Sequence, residues 1–296
     1  RSINIVGSQA FSESLLLELF VLRTPGWLTW YTKLDQYSRP KLAADLETLK
    51  SFYQDRGYID FAIESTQVSI TPDKQDIYIT VNVVEGERYT ISAVRLEGLM
   101  LLPRAELEKL VRVKASEVFS RQRLTETTKA ITDRLGNEGY AFANASAVPQ
   151  INRAARTVAL AILIDPGRRV YVRRINVAGN TKTRDEVVRR EMRQLEGSYY
   201  DASKIQLSKT RIDRTQYFKD VNVETAPVAD RTDQVDVNFT VEEKPTGAML
   251  LGAGYSTVDK VVVSGSISQA NVFGSGKFIA AQVNSGKVNR TYALSY

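Results

Sequence analysis

The chain contains no cysteine and no histidine in its 296 residues. Without cysteine there is no disulfide, no thiolate metal ligand and no thiol nucleophile. Without histidine the serine–histidine–carboxylate triad and imidazole acid–base chemistry are excluded, and most zinc sites go with them. The missing cysteine does not fix the compartment, because an oxidising one permits disulfides without requiring them. Long apolar runs are missing too. No stretch of about 18 uninterrupted apolar residues marks a membrane-crossing helix, and the most apolar early segment, residues 15–22, is short and broken by Glu18. There is no initiator methionine, and the chain starts on the strand-like Ile3-Asn4-Ile5-Val6. An excised part of a longer protein is expected to look like this, so a missing signal peptide carries no information.

What is present is the composition of a folded protein. Hydrophobic residues make up 43% and charged residues 25%, enough for buried cores and too little net charge for a disordered polymer. The length suits two or three domains. The 40 Lys+Arg against 34 Asp+Glu leave a formal charge of +6, a mild surplus that favours acidic partners such as lipid head groups or nucleic acid.

The main signal is internal repetition. A short alternating strand ending in glycine occurs three times: Ile3-Asn4-Ile5-Val6-Gly7, Val94-Arg95-Leu96-Glu97-Gly98 and Ile175-Asn176-Val177-Ala178-Gly179, with the glycines spaced 91 and 81 residues apart. In each copy apolar residues stand two and four places before the glycine, on one face of the strand. A helical pattern then runs into an aromatic turn: Asp55-Arg56-Gly57-Tyr58, Asn137-Glu138-Gly139-Tyr140 and Arg214-Thr215-Gln216-Tyr217. Leu46, Leu49 and Tyr53 share one helical face, as do Ile131 with Leu135 and Ile205 with Ile212. Gly57 and Gly139 suit a left-handed helix cap, from which Gln216 departs. An alternating strand closes each copy, at residues 77–83, 158–164 and 235–241, and another strand such as Ala62–Ile70 precedes it across a turn like Thr71-Pro72-Asp73-Lys74. The unit is therefore strand–helix–helix–strand–strand, about 80 residues long, and the first copy carries a Trp-rich insertion at residues 25–40. The expected domains are residues 1–87, 88–167 and 168–245, with a different tail at 246–296. Short junctions at Gly86 and Gly167 predict limited hinges.

The tail alternates small or polar residues with apolar ones around Gly252-Ala253-Gly254-Tyr255 and Gly274-Ser275-Gly276. About four weakly alternating strands rich in glycine and tyrosine match a transmembrane β-barrel, and the alternation fits a soluble β-meander equally well.

Several segments carry a resemblance that extends over nearly the whole chain. In the first unit they are Asp45-Leu46-Glu47-Thr48-Leu49, Asp55-Arg56-Gly57-Tyr58 and Ser65-Thr66-Gln67-Val68-Ser69-Ile70-Thr71-Pro72-Asp73-Lys74. In the third they are Arg189-Arg190-Glu191-Met192-Arg193-Gln194 and Asp233-Gln234-Val235-Asp236-Val237, with Thr246-Gly247 leading into Gly252-Ala253-Gly254-Tyr255. With these, the sequence resembles the periplasmic POTRA repeats of the BamA family of outer-membrane barrel assembly factors, in order the third, fourth and fifth repeats and the start of the barrel. The resemblance implies an α+β fold: tandem β-α-α-β-β POTRA repeats, each a three-stranded mixed sheet with two helices, followed by antiparallel strands of a truncated transmembrane β-barrel. It implies an outer-membrane location with residues 1–245 in the periplasm, and a scaffold or chaperone-like role with no enzymatic activity and no cofactor. The implied partners are accessory outer-membrane lipoproteins, BamD-type at 168–245 and BamB-type at 1–87, together with unfolded outer-membrane protein precursors and outer-membrane lipid, and no nucleic acid.

The candidate residues follow. If the closing strand is central, Ala62–Ile70 lies at a sheet edge, with Val68 and Ile70 on one face, and can accept an extended segment by β-augmentation; read alone, it is equally an ordinary strand packed on its own helices. Leu22 and Arg23 are further partner-binding candidates that the resemblance implies. The third unit carries a basic cluster, Arg168, Arg169, Arg173, Arg174, Lys182, Arg184, Arg189, Arg190 and Arg193, partly balanced by Asp185, Glu186 and Glu191. Its ordinary reading is a solvated face. Its functional reading is contact with lipid phosphates or a barrel rim, with Glu191 pairing to a basic residue of a partner lipoprotein. Trp27, Trp30, Tyr31 and Tyr37 suit either a binding platform or a cap on a local core. Gly274-Ser275-Gly276-Lys277 is no phosphate loop, because Phe278 stands where Ser or Thr is required. Asp73 and Asp76 sit in a turn and predict no metal site. The alternative functions are a relative serving autotransporter assembly or two-partner secretion, or, in another class, a basic nucleic-acid-binding repeat protein.

Overall fold

A computed structural model describes residues 2–22, 38–72, 77–257 and 260–296. The chain divides into two compact units, one formed by residues 1–132 and 144–166, the other by 133–143 and 167–296.

The first unit opens on β1 (Ser2–Val6), followed by the short helix α1 (Glu13–Glu18) and the longer α2 (Arg39–Gln54). Pro40 in the first turn of α2 needs no N–H donor there, and Leu42, Leu49 and Tyr53 recur along the helix's buried stripe. Strands β2 (Ala62–Ile70) and β3 (Ile77–Val84) complete a sheet of order β1-β3-β2, with β1 parallel and β2 antiparallel to the central β3. Ile3, Ile5, Ile79, Val81 and Val83 face the helices and pack with Leu16, Leu49 and Tyr53. A second copy follows, with β4 (Thr90–Gly98), α3 (Arg104–Leu110), α4 (Arg121–Gly136), β5 (Asn144–Asn152) and β6 (Thr157–Asp165) in the sheet order β4-β6-β5; all of it but the end of α4 and the turn after it lies in the same unit.

In the second unit β7 (Tyr171–Ala178), α5 (Asp185–Arg189), α6 (Ala202–Arg214), β8 (Phe218–Val228) and β9 (Arg231–Glu243) form a third copy with order β7-β9-β8. Its core gathers Val172, Ile175, Ile205, Ile212 and Phe239. Helix α6 is capped by Asp201, whose side chain accepts from the N–H groups of Ser203 and Lys204. Burial works against this carboxylate, but those hydrogen bonds and the Lys204 charge outweigh it and hold it below the usual range.

The glycine that ends each opening strand has a shared purpose. Gly7, Gly98 and Gly179 have φ of 99°, 100° and 90°. A Cβ on each would stand 2.1, 2.2 and 2.0 Å from the carbonyl oxygen of Val83, Ile164 and Val241 respectively. The turn out of the strand thus presses its backbone against the central strand, which only glycine permits. Gln216 takes the left-handed conformation of Gly57 and Gly139 without being glycine, at φ 62°.

The first two aromatic turns also reach the following copy. The Gly57 carbonyl accepts from Tyr89 N–H and the Gly139 carbonyl from Val170 N–H, at 2.8 and 2.9 Å. Asp55 Oδ1 accepts from Gln122 N–H in the first turn of α4 at 2.7 Å, and Asn137 Oδ1 from Ser203 N–H in the first turn of α6 at 2.9 Å.

After β9 come β10 (Gly247–Ser256), β11 (Lys260–Gln269), β12 (Ile279–Ser285) and β13 (Arg290–Ser295), a four-stranded antiparallel sheet in sequential order that does not close. The turn between β11 and β12 is docked on residues 181–184. Arg184 N–H donates to the Gly274 carbonyl, Asn271 donates to Thr183 Oγ1 at 2.7 Å, and the Tyr217 hydroxyl donates to the Gly276 carbonyl. Glu243 fixes the same loop by accepting from Thr181 Oγ1 and from the N–H groups of Lys182 and Thr183. Burial opposes this carboxylate's charge, and the donors still hold it below the usual glutamate range.

Candidate functional site

The two edges of each three-stranded sheet are treated differently. On the opening-strand side the chain covers itself. In β4, Ile91 donates to the Glu117 carbonyl at 2.8 Å and accepts from Ser116 N–H at 2.7 Å. In β7, Val172 donates to Ser198 and accepts from Gly197 at 2.9 and 2.7 Å. Side chains do the same elsewhere: Glu196 accepts from Ile175 N–H and Glu13 from Ile5 N–H of β1, both at 2.8 Å. Outward groups that are already engaged cannot recruit another strand.

The opposite edges are β2, β5 and β8. The three glycine contacts align them, because each marks the same position of a central strand. On that ruler Val68, opposite Ile79, stands where the second copy has Pro149, opposite Leu160. Ile70, opposite Ile77, stands where the third has Pro227, opposite Val235. Along an antiparallel pair, N–H groups alternate between facing the partner and facing away, and proline fits only where the missing N–H would face away. Both prolines fall on the same parity, so the N–H groups of Val68 and Ile70 point outward. Pro149 interrupts the middle of β5. Pro227 interrupts the end of β8, which also carries Asp220 and Glu224. Strand β2 has no proline and one acid, Glu64. Of the three it is the uninterrupted edge, and Val68 on it is exposed.

The fourth sheet offers a different surface. Its register sets Met249 opposite Ile267 and Tyr255 opposite Val261, Gly265 opposite Val283, then Val283 opposite Tyr292 and Ala281 opposite Leu294. Residues in register share a face, and here Met249, Leu251, Tyr255, Val261, Ile267, Tyr292 and Leu294 are all at least 60% exposed. The other face is mostly small or polar, with Gly252, Gly254, Ser264, Ser266, Ser268, Gln282 and Asn284, and also carries Leu250 and Val262. An apolar band backed by small polar residues is the pattern of strands with lipid on one side and a polar lumen on the other. A soluble sheet would bury such a band against another element.

The basic cluster of the third copy is largely engaged within the chain. Arg189 holds Asp185, Glu196 and the Ile175 carbonyl. Arg173 holds Asp236, whose carboxylate is held below its usual range chiefly by that hydrogen bond. Arg193 returns to the carbonyls of Arg190 and Met192, and Arg169 lies over the Tyr199 ring, 3.8 Å from its centroid. Glu191 is paired with Arg211 at 2.8 Å and with Arg190 at 3.6 Å, its side chain 18% exposed. The structure thus gathers Arg189, Arg190, Glu191 and Arg193 around one corner of α5, with Glu191 turned inward. Ala62, Val68 and Ile70 lie on β2 of the first unit. Leu22 is buried in that unit's core and presents no free surface; its N–H and that of Val21 donate to the buried carboxylate of Asp45. Arg23, Trp27, Trp30, Tyr31, Tyr37, Asp73 and Asp76 lie outside the described residues. The proline parity that distinguishes the edges emerges only from the hairpin registers, because the edge strands stand at different sequence distances from the three glycines. The Glu243 staple carried no sequence signal.

Comparisons with known proteins agree with this architecture. The POTRA family, described as "Surface antigen variable number repeat", matches residues 1–86, 89–167 and 170–244. Outer membrane protein assembly factor BamA of Neisseria meningitidis serogroup B is 39% identical over 295 residues, which is 99% of this chain and 37% of that protein. The protein of the same name from Buchnera aphidicola is 33% identical over 96% of this chain and 46% of its own length. The chain therefore spans less than half of these curated relatives. Among solved structures, the crystal structure of Haemophilus influenzae BamA POTRA3-5 superposes with a TM-score of 0.73 at 30% identity, covering 81% of this chain and 94% of that one. BamA of Haemophilus ducreyi lacking POTRA domains 1-3 gives a TM-score of 0.59 at 33% identity, covering 67% and 37%.

Proposed function

The chain belongs to the POTRA family and is a homologue of the outer-membrane assembly factor BamA, and on that premise we propose that residues 1–245 form a non-enzymatic periplasmic scaffold that holds unfolded barrel precursors on an open sheet edge and passes them to the membrane-embedded strands. The working units are residues 1–87, 88–167 and 168–245, with 246–296 seated in the outer membrane. The observation that carries this reading is the edge of β2, whose outward N–H groups at Val68 and Ile70 are free of proline. Augmentation there uses backbone hydrogen bonds that are largely blind to side chains, as a machine with many different clients requires. Direction comes from the free energy of precursor folding and insertion.

The test is titration of the chain, held in detergent micelles, with a labelled extended peptide taken from a strand of a barrel precursor. Saturable binding is expected. The same peptide N-methylated at alternate residues, so that its N–H groups facing the edge are lost, should bind about tenfold more weakly or worse, roughly 1.4 kcal/mol. Equal binding of the two peptides would rule the edge out.

Recruitment of lipoproteins is the second part of the proposal, BamD-type at the third copy and BamB-type at the first. Supporting it is the Arg189–Arg190–Glu191–Arg193 corner, in which the inward Glu191 holds Arg190 and ties the corner to Arg211. Glu191→Lys places a cation against Arg211 and Arg190 and should scatter that corner. Binding of a BamD-type lipoprotein, followed by surface plasmon resonance, should fall about tenfold. Unchanged affinity would move the contact off this corner.

A further inference from the structure

At the base of the fourth sheet a groove of about 900 Å³ opens between the docked turn and the third copy. Lys182, Lys244, Tyr217, Gln269, Asn271 and Phe273 line it. Lys182 has no ion-pair partner among the described residues, and Lys244 donates only to the neutral Gln216. The one carboxylate lining the groove, Glu243, is already occupied by its three donors from residues 181–183. Those donors are neutral, so Glu243 keeps its charge, and the groove carries two ammonium groups against one carboxylate, a net positive charge.

Its position gives the charge a meaning. Gly247 pairs with Gln269 and Gln269 with Ile279, and one step further along the same face Met249 pairs with Ile267. The groove thus ends where the exposed apolar band begins. Phe273 stands at the rim with 92% of its surface free, in a turn pinned by Asn271, Gly274 and Gly276. A basic recess, an exposed aromatic and an apolar band in succession match the layers of a bilayer from head group to acyl chain.

We propose that this groove binds the anionic, phosphate-bearing head group of a membrane lipid, with Lys182 and Lys244 on the phosphate and the acyl chains lying along Met249 and Ile267. The proposal rests on the reading of the fourth sheet as membrane-facing, and its test separates the two. The chain in dodecylmaltoside micelles is titrated calorimetrically with short-chain phosphatidylglycerol. Saturable binding is expected, weakened about tenfold in the Lys182→Gln/Lys244→Gln double variant and unchanged in Lys287→Gln, at the opposite end of the sheet. Undiminished binding by the double variant would overturn the groove. Displacement of the lipid by equimolar inorganic phosphate would mean a free-anion site and overturn the lipid assignment. Insertion into micelles, by sedimentation, without phosphatidylglycerol binding would overturn the groove alone. Failure to enter micelles at all would overturn the membrane-facing sheet and this proposal together.

Discussion

Gly179→Ala is expected to unfold the third repeat under conditions where the parent chain is native. The new methyl would lie 2.0 Å from the Val241 carbonyl oxygen, at a residue with φ 90°. Neither conflict has a soft escape, because the collision is with backbone of the central strand and the dihedral is one that L side chains rarely take. A cost of about 3 kcal/mol or more follows, a large share of the roughly 5–15 kcal/mol that a domain holds. Gly254→Ala is the matched control: a Cβ there meets nothing within 4 Å, and its effect should stay within about 0.5 kcal/mol. Hydrogen exchange at the amides of β9 reads the third repeat specifically. Protection in Gly179→Ala equal to the parent would show that the strand end relaxes freely, and the glycine's role would have to be abandoned.

Val68→Pro should separate binding from folding. The second repeat already carries proline at this register position and keeps its strand, so the first should tolerate one without losing a ladder hydrogen bond. The expected result is a melting temperature within a few degrees of the parent, about 1 kcal/mol at most, with binding of the extended peptide lost by tenfold or more. The reverse change, Pro149→Val, restores an outward N–H in the middle of β5 and should raise the peptide stoichiometry from one site to two. A Val68→Pro chain that fails to fold would break the register argument. One that folds and binds normally would move the client site off β2.

Much of the fold was legible because it is written three times. Apolar residues two and four places before Gly7, Gly98 and Gly179 gave the opening strands, and the Leu49–Tyr53, Ile131–Leu135 and Ile205–Ile212 spacings gave helices whose named residues are buried. The closing strand is central in each sheet, which meets the condition under which Ala62–Ile70 lies at an edge. Less legible was anything that depends on register between distant segments. Alternation in residues 246–296 is weak along each strand, and the apolar band emerges only when pairing brings Met249, Ile267, Ala281 and Leu294 into one row. Glu191 reads as an exposed acid among arginines, and its inward turn depends on Arg211, 20 residues away on α6. The Trp-rich insertion at 25–40 falls mostly on residues that the structure does not describe.

The turns that join successive repeats bear on the order in which the chain folds. Helix α4 has its first turn closed by Asp55 of the preceding repeat, and α6 receives a similar bond from Asn137. Each helix also has a cap from its own repeat, Ser120 for α4 and Asp201 for α6, so the upstream side chain adds a second acceptor to the first turn and supplements the capping energy. Each repeat is thus a template for the next, and completed structure upstream lowers the cost of nucleating the helix downstream. A chain emerging amino-terminus first meets these templates in the right sequence, so nearest-neighbour coupling becomes a direction of assembly.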